Sequence, residues 1–189
     1  AIVGTDVSDA AYIFELDSLG VWQETQKITP SDGIPSAEKF GYSVGISNDY
    51  IIVGAYFQSE DASGLNTLWN AGAAYIYELD SLNVWQETQK IVASERQQSA
   101  HFGYDVSISG NYTIIGSETK NYVPFPLPTI PAAGAAYIFE RDSLGVWLQT
   151  QKLGELNPTT SDNFGFSVSM DGDRAVVGAL NEDENASGS

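Results

Sequence analysis

The chain of 189 residues contains no cysteine, which removes disulfides, thiolate catalysis and sulfur-ligated metals from its chemistry. Basic side chains are also scarce. Eight Lys and Arg face 25 Asp and Glu, a formal charge of −17, so the surface repels nucleic acid and anionic lipid. Cationic partners, divalent ions or a saline environment fit that balance, as does solubility alone. No apolar run approaches the roughly 18 residues of a membrane-spanning helix, and no segment of useful length carries a helical period. The lone histidine, His101, leaves nothing for a histidine metal cluster or an acid–base relay, and neither a nucleophile elbow, a phosphate-binding Gly loop nor an HExxH motif occurs. An enzyme is therefore not expected. The chain opens inside a strand-like Ala1-Ile2-Val3-Gly4, which reads as a processed product or a slice of a longer protein.

What is present is repetition. Phe40-Gly41-Tyr42 returns as Phe102-Gly103-Tyr104 and Phe164-Gly165-Phe166, and Gly54 as Gly116 and Gly178, each 62 residues on. Ala11-Tyr12-Ile13-Phe14 returns near Tyr75 and Tyr137, and Trp22 returns as Trp85 and Trp147. A period of this size marks one supersecondary module that buries its faces against neighbouring copies.

Each copy holds four short segments rich in β-branched and aromatic residues. Segment A sets Phe40, Tyr42, Val44 and Ile46 on one side and Gly41, Ser43, Gly45 and Ser47 on the other. Segment B, Tyr50 to Gly54, is apolar as a strand buried on both faces should be. Segment C is Ala73 to Leu79, and segment D, Val84 to Ile91, is polar as an outer edge should be. The A-to-B turns are tight, and Gly20 and Gly145 exchange with Asn83 in the C-to-D turn, which points to a left-handed backbone there.

These features predict an all-β fold of four-stranded antiparallel β-propeller blades, about three repeats of 62 residues, forming part of a larger or oligomeric ring. Large side chains of one sheet are expected to meet Gly and Ser on the next. One propeller domain would divide into 1–39 (strands B-C-D), a complete blade at 40–101, another at 102–163, and a half-blade (A-B) at 164–189. Three blades cannot close a ring, so closure requires self-association or continuation in a longer chain. Strand parity puts every long, variable connection, B-to-C loops and D-to-A links alike, at one end of the blades, where recognition usually resides.

Phe-Gly-Tyr-Ser-Val, then Ile-Ile-Val-Gly-Ala, then Gly-Ala-Ala-Tyr-Ile-Tyr resembles the FG-GAP repeat, found in the integrin α-subunit propeller and in many surface proteins. The resemblance implies a secreted or cell-surface propeller that binds protein or carbohydrate ligands, with adhesion and plain scaffolding among the family's roles. The alternative is a structural repeat that builds an oligomeric ring or fibre without its own ligand. No nucleic-acid partner and no membrane insertion are expected. Integrin-like repeats often carry calcium between strands A and B, whereas this chain has only a three-residue turn there in each copy.

Candidate ligand contacts are the loop aromatics Tyr56, Phe57, Trp69, Tyr122 and Phe125, natural surfaces for sugar rings or protein grooves. A candidate calcium loop runs through Asn181, Asp183 and Asn185, with oxygens at alternate positions, although the same residues read better as a solvated acidic loop. Glu15, Glu78 and Glu140 recur in segment C and Lys27, Lys90 and Lys152 in segment D, and are expected to form cross-strand ion pairs. Asn111-Tyr112-Thr113 and Asn185-Ala186-Ser187 match the glycosylation acceptor pattern.

Overall fold

The computed structural model describes residues 1–5, 9–33, 38–124 and 126–182. Thirteen strands and no helix occur among them. β1 (Ile2–Thr5), β2 (Ala10–Leu16) and β3 (Trp22–Ile28) form one antiparallel sheet. β4 (Phe40–Ser47), β5 (Tyr50–Ala55), β6 (Ala73–Leu79) and β7 (Trp85–Ile91) form the second, and β8 (Val106–Ser109), β9 (Tyr112–Ser117), β10 (Ala135–Arg141) and β11 (Trp147–Leu153) the third. β12 (Phe164–Asp171) and β13 (Arg174–Ala179) make a two-stranded sheet. Each full sheet is an up-and-down meander with the polar D strand at its edge, so the four sheets are successive blades of a partial propeller.

Three apolar layers lie between the blades. Ala11, Ile13 and Ile28 of blade one close on Phe40, Ile51, Val53, Tyr75, Tyr77 and Trp85 of blade two. Ile52, Ile76 and Ile91 on its other face meet Phe102, Ile108, Tyr137 and Trp147 of blade three. Ile114 and Ala136 then meet Val168 of the last pair. Trp85 and Trp147 are 6% and 1% exposed, whereas Trp22, with no blade described before it, is 54% exposed. Stacking, and not the sheet itself, is what buries each tryptophan.

A directional clasp repeats at Trp85 and Trp147. Gln26 Nε2 donates to Trp85 O (2.8 Å) and Gln26 Oε1 accepts from Trp85 N (2.8 Å). Gln89 makes the same pair with Trp147, both at 2.9 Å. Two backbone groups that an outer edge strand would leave bare are thereby satisfied.

The small residues follow the expectation at Gly45, which faces the Ile108 side chain of the next blade, but not throughout. Gly54 and Gly116 do not receive large side chains: a Cβ on either would lie 2.1 and 2.0 Å from the carbonyl oxygens of Gly103 and Gly165 in the next blade. Backbone meets backbone there. The inner serines complete the approach, Ser47, Ser107 and Ser109 hydroxyls accepting from Gly110 N, Met170 N and Gly172 N of the following blade.

Strict alternation in segment A also fails. Phe40 is fully buried while Tyr42 is 40% exposed, and the β4–β5 register shifts between Phe40 and Val44. Left-handed dihedrals at Lys39 (φ 62°) and Gly41 (φ 88°) flank the phenylalanine and break the pleat, turning Phe40 inward and Tyr42 out. In blade three the same irregularity leaves β8 starting at Val106, with Phe102 held by an isolated bridge to Gly72.

The expected Glu–Lys cross-strand pairs do not form. Glu78 is opposite Gln86 and Lys90 opposite Tyr75, at different ends of one ladder, too far apart in register to meet. The charges instead tie blades together: Lys90 to Asp32 (2.8 Å), Lys152 to Glu95 (2.8 Å) and Arg141 to Glu78 (3.1 Å). The C-to-D turns do adopt the left-handed residue, at Gly20 (φ 77°), Asn83 (φ 59°) and Gly145 (φ 87°).

Candidate functional site: the axial mouth of the loop face

The long connections are zipped to one another at one end of the blades. Ser99, His101 and Phe102 N–H groups in the link to blade three donate to the carbonyls of Trp69, Asn70 and Ala71 in the preceding B-to-C loop (2.9, 3.2 and 3.0 Å). Ser161, Asn163 and Phe164 repeat this on Pro131, Ala132 and Ala133 (3.0, 3.1 and 3.0 Å). The residue before each Phe-Gly is left-handed whatever its type, Lys39, His101 and Asn163 alike. That twist presents the third residue of each triplet at the inner strand, on the loop side of the arc.

Tyr42, Tyr104 and Phe166 therefore stand in a row, one per blade. Ring centroids are 5.1 Å apart for Tyr42 and Tyr104 and 5.3 Å for Tyr104 and Phe166, and the two tyrosine hydroxyls meet at 3.1 Å. Tyr56 packs on Tyr42 (4.6 Å), Phe57 (4.3 Å), Tyr104 (5.3 Å) and His101 (5.4 Å). His101 Nδ1 lies 2.9 Å from Glu118 Oε1, and the second Glu118 oxygen is buried without a partner. Burial and the neighbouring Tyr42 hydroxyl hold the Tyr104 hydroxyl well above the ordinary phenol range, so it stays a neutral hydrogen-bonding group. A hollow of about 390 Å³ opens beside the row, lined by Tyr42, Ser43, Tyr104, Asp105, Phe166 and Ser167 among others. Aromatic faces with hydroxyl and carboxylate edges can take apolar and polar ligand groups together.

Of the expected ligand contacts, Tyr56 and Phe57 enter this cluster. Trp69 (66% exposed) and Tyr122 (43% exposed) stand on separate loops and make no ring contact among the described residues. Phe125 lies outside the described residues. Sequence reasoning misses the row Tyr42, Tyr104, Phe166 as a site because simple alternation in segment A groups Tyr42 with Phe40. Its signal was present as an aromatic residue after every Phe-Gly.

Of the candidate calcium loop, Asp183 and Asn185 lie outside the described residues. Asn181 spends its amide on Ser161 O (3.1 Å) and Asn163 Oδ1 (2.9 Å), bracing the link beneath it. Its neighbour Glu182 joins Glu155 and Asp162 in a group of carboxylates whose oxygens lie within 4.8 Å of one another. Both Glu155 oxygens are buried and no donor reaches them, while Asp162 accepts from Thr159. Burial, reinforced by Asp162 and Glu182, pushes the Glu155 carboxyl up to about 8, and the proton it then carries is shared with its acidic neighbours. Calcium between strands A and B does not fit. Asp49 and Asn111 carbonyls in those turns accept Leu79 N (3.0 Å) and Arg141 N (2.9 Å), leaving too few oxygens for a cation shell.

Four-stranded meanders stacked through their faces, with short turns at one end and long loops at the other, define an arc of a β-propeller. The chain belongs to the FG-GAP repeat family, whose pattern matches residues 22–77, 85–139 and 147–189. Each match starts on a D strand and runs into the next blade, so the sequence motif spans the blade boundary instead of one blade. No curated protein sequence matches the chain.

Proposed function

We propose that this arc is a binding or adhesion module of a secreted or cell-surface protein, engaging a protein or carbohydrate partner through the long-loop face. The axial aromatic row is the observation that carries the reading. Tyr42, Tyr56 and Tyr104 are partly exposed at the inner end of that face, although a fold that needed only to stack blades could bury or omit them. Repeats of this family are typical of extracellular proteins. The −17 charge argues against nucleic acid and for a partner that is cationic or neutral. No catalytic role is proposed.

A second reading, a structural repeat that builds a ring or fibre, is favoured by one specific observation. Trp22 is exposed at one end of the arc and Gln151, next in the clasp series, is exposed at the other. Either further blades in a longer chain or another copy would supply what these lack.

Binding to an array of glycans and to purified extracellular-matrix proteins tests the first reading. Tyr104→Ala is expected to lower partner affinity by about tenfold or more, the range of a buried aromatic contact, with Trp69→Ala reporting whether the outer loops share in it. Undiminished binding by Tyr104→Ala and Tyr42→Ala, with folding intact, would sink it. Ring or fibre assembly with no ligand retained on either array supports the second reading.

A further inference from the structure

Blade three holds a cavity beside a polar network that differs from its counterpart in blade two. In blade two, the buried Gln58 donates from Nε2 to the Tyr75 hydroxyl (2.9 Å) and accepts Glu60 N at Oε1 (2.8 Å). The Tyr75 hydroxyl donates to Asp32 Oδ2 (3.0 Å), which also receives Lys90 Nζ (2.8 Å). That network is closed. One repeat later the corresponding residues are Lys120, Tyr137, Glu95 and Lys152, and the network is open. Lys120 Nζ donates to Glu95 O (2.7 Å) and Lys152 Nζ to Glu95 Oε2 (2.8 Å). The Tyr137 hydroxyl, on a residue 0% exposed and paired with Lys152 across the ladder, has no partner. No lysine reaches the two buried oxygens of Glu155, which face only the carboxyls of Asp162 and Glu182.

Lys120, Asn121, Tyr122, Lys152, Glu155 and Pro158 are among the residues that line a cavity of about 260 Å³. An ammonium has three N–H donors, and each lysine spends one on Glu95. Donors, acceptors and an aromatic wall therefore converge on a space for about nine waters at roughly 30 Å³ each. It is smaller than the roughly 300 Å³ at which pockets for drug-sized ligands begin. An inorganic anion fits poorly: Glu95 already neutralises one positive charge, and the whole molecule carries −17. A polyol suits the lining, because each hydroxyl both donates and accepts.

We propose that this cavity is a monosaccharide subsite taking one pyranose unit of a carbohydrate ligand, its hydroxyls bridging Lys120 and Lys152 to Glu155 and its C–H face against Tyr122. The assignment rests on the loop face being a binding surface and names one class of ligand for it, at a place separate from the axial aromatic row. Lys120 is 7% exposed, and its burial together with Lys152 lowers its pKa, so a ligand hydroxyl would replace solvation that the ammonium has already lost.

Saturation-transfer NMR on the full chain, with glucose, galactose, mannose and N-acetylglucosamine as probes, tests this. At least one sugar is expected to bind with a dissociation constant of about 1 mM, the reach of a ligand of a dozen heavy atoms. Tyr122→Ala and Lys120→Met are each expected to weaken it by about tenfold, while Tyr104→Ala leaves it unchanged. Tyr122 is exposed, so its variant keeps the test decisive if Lys120→Met fails to fold. No transfer to any of the four sugars at about tenfold above that concentration overturns the proposal, as does inorganic phosphate displacing the sugar, or a sugar signal indifferent to Tyr122→Ala. Loss of sugar binding in Tyr104→Ala would instead assign the sugar to the axial row. Partner capture that depends on Tyr104 but not on Tyr122, with no sugar signal, overturns the subsite and leaves the loop-face reading standing.

Discussion

Gly54 and Gly116 sit where a methyl group has no room, because the nearest obstacle is a carbonyl of the next blade and not a side chain that could swing away. Gly116→Ala should cost roughly 3 kcal/mol, at the upper end of overpacking. Gly178 belongs to the same series, yet a Cβ there meets nothing nearer than 3.6 Å among the described residues. Gly178→Ala should therefore change stability by less than about 0.5 kcal/mol. Urea unfolding of the two variants checks both values. A comparable loss in each would mean that the glycines serve the strand and not the contact between blades. The 62-residue recurrence of these glycines was legible in the sequence. Their reason was not, since a pattern of small residues cannot tell a hole for a side chain from a close passage of two backbones. The same limit hid the aromatic row: alternation placed Phe40 and Tyr42 together, and only the left-handed Lys39 and Gly41 separate them.

At the scale of the strand, the four segments of each repeat were readable because their composition follows their position, apolar for the doubly buried B and polar for the outer D. Pairings that reach beyond one sheet were not readable. Lys90 and Glu78 recur together and look like partners, but the ladder sets them at opposite ends and the neighbouring blades claim both. The glutamine clasp is a more useful example. Gln89→Ala removes both bonds to the Trp147 backbone, and should destabilise by about 1–2 kcal/mol, leaving a buried edge unpaired. Gln151→Ala, at the exposed member of the series, should be neutral within about 0.5 kcal/mol. Thermal unfolding of the pair, followed by near-ultraviolet circular dichroism of the tryptophans, distinguishes the two. The hairpin turns between C and D strands are separately braced: Asp80 Oδ1 accepts Leu82 N (2.8 Å) and Val84 N (2.9 Å), and these N–H groups hold its carboxyl below the usual range.

For the molecule as a whole, two carboxyls are held far above the ordinary range and act on the response to pH near neutrality. Burial pushes Glu38 up to about 7, and burial with Asp162 and Glu182 pushes Glu155 to about 8, from an ordinary value of 4.5 in each case. Between pH 4.5 and those values the folded state keeps a proton that the unfolded chain has released, so stability falls as pH rises through the window. Glu155→Gln removes one of the two contributions. It should raise the melting temperature at pH 8 by about 2 °C or more and change it little at pH 5, while a slope up to about pH 7 remains from Glu38. A variant whose melting temperature tracks the parent at both pH values would show that Glu155 releases its proton as an ordinary surface acid does. None of this was legible in the sequence, where Glu38 and Glu155 are single acids among 25 and lie in links with no repeat to mark them.

The clasp also gives the arc a sense of direction, as a row of hooks and eyes has. Both junctions between the first three blades present a glutamine from the earlier blade to a tryptophan in the later one, so the two ends of that series are chemically unlike. Two molecules brought together by a twofold axis through one end would set like against like, hook to hook at Gln151 or eye to eye at Trp22, and forfeit the bond. Anything that joined this arc through the same clasp would have to follow the order in which the chain itself was written.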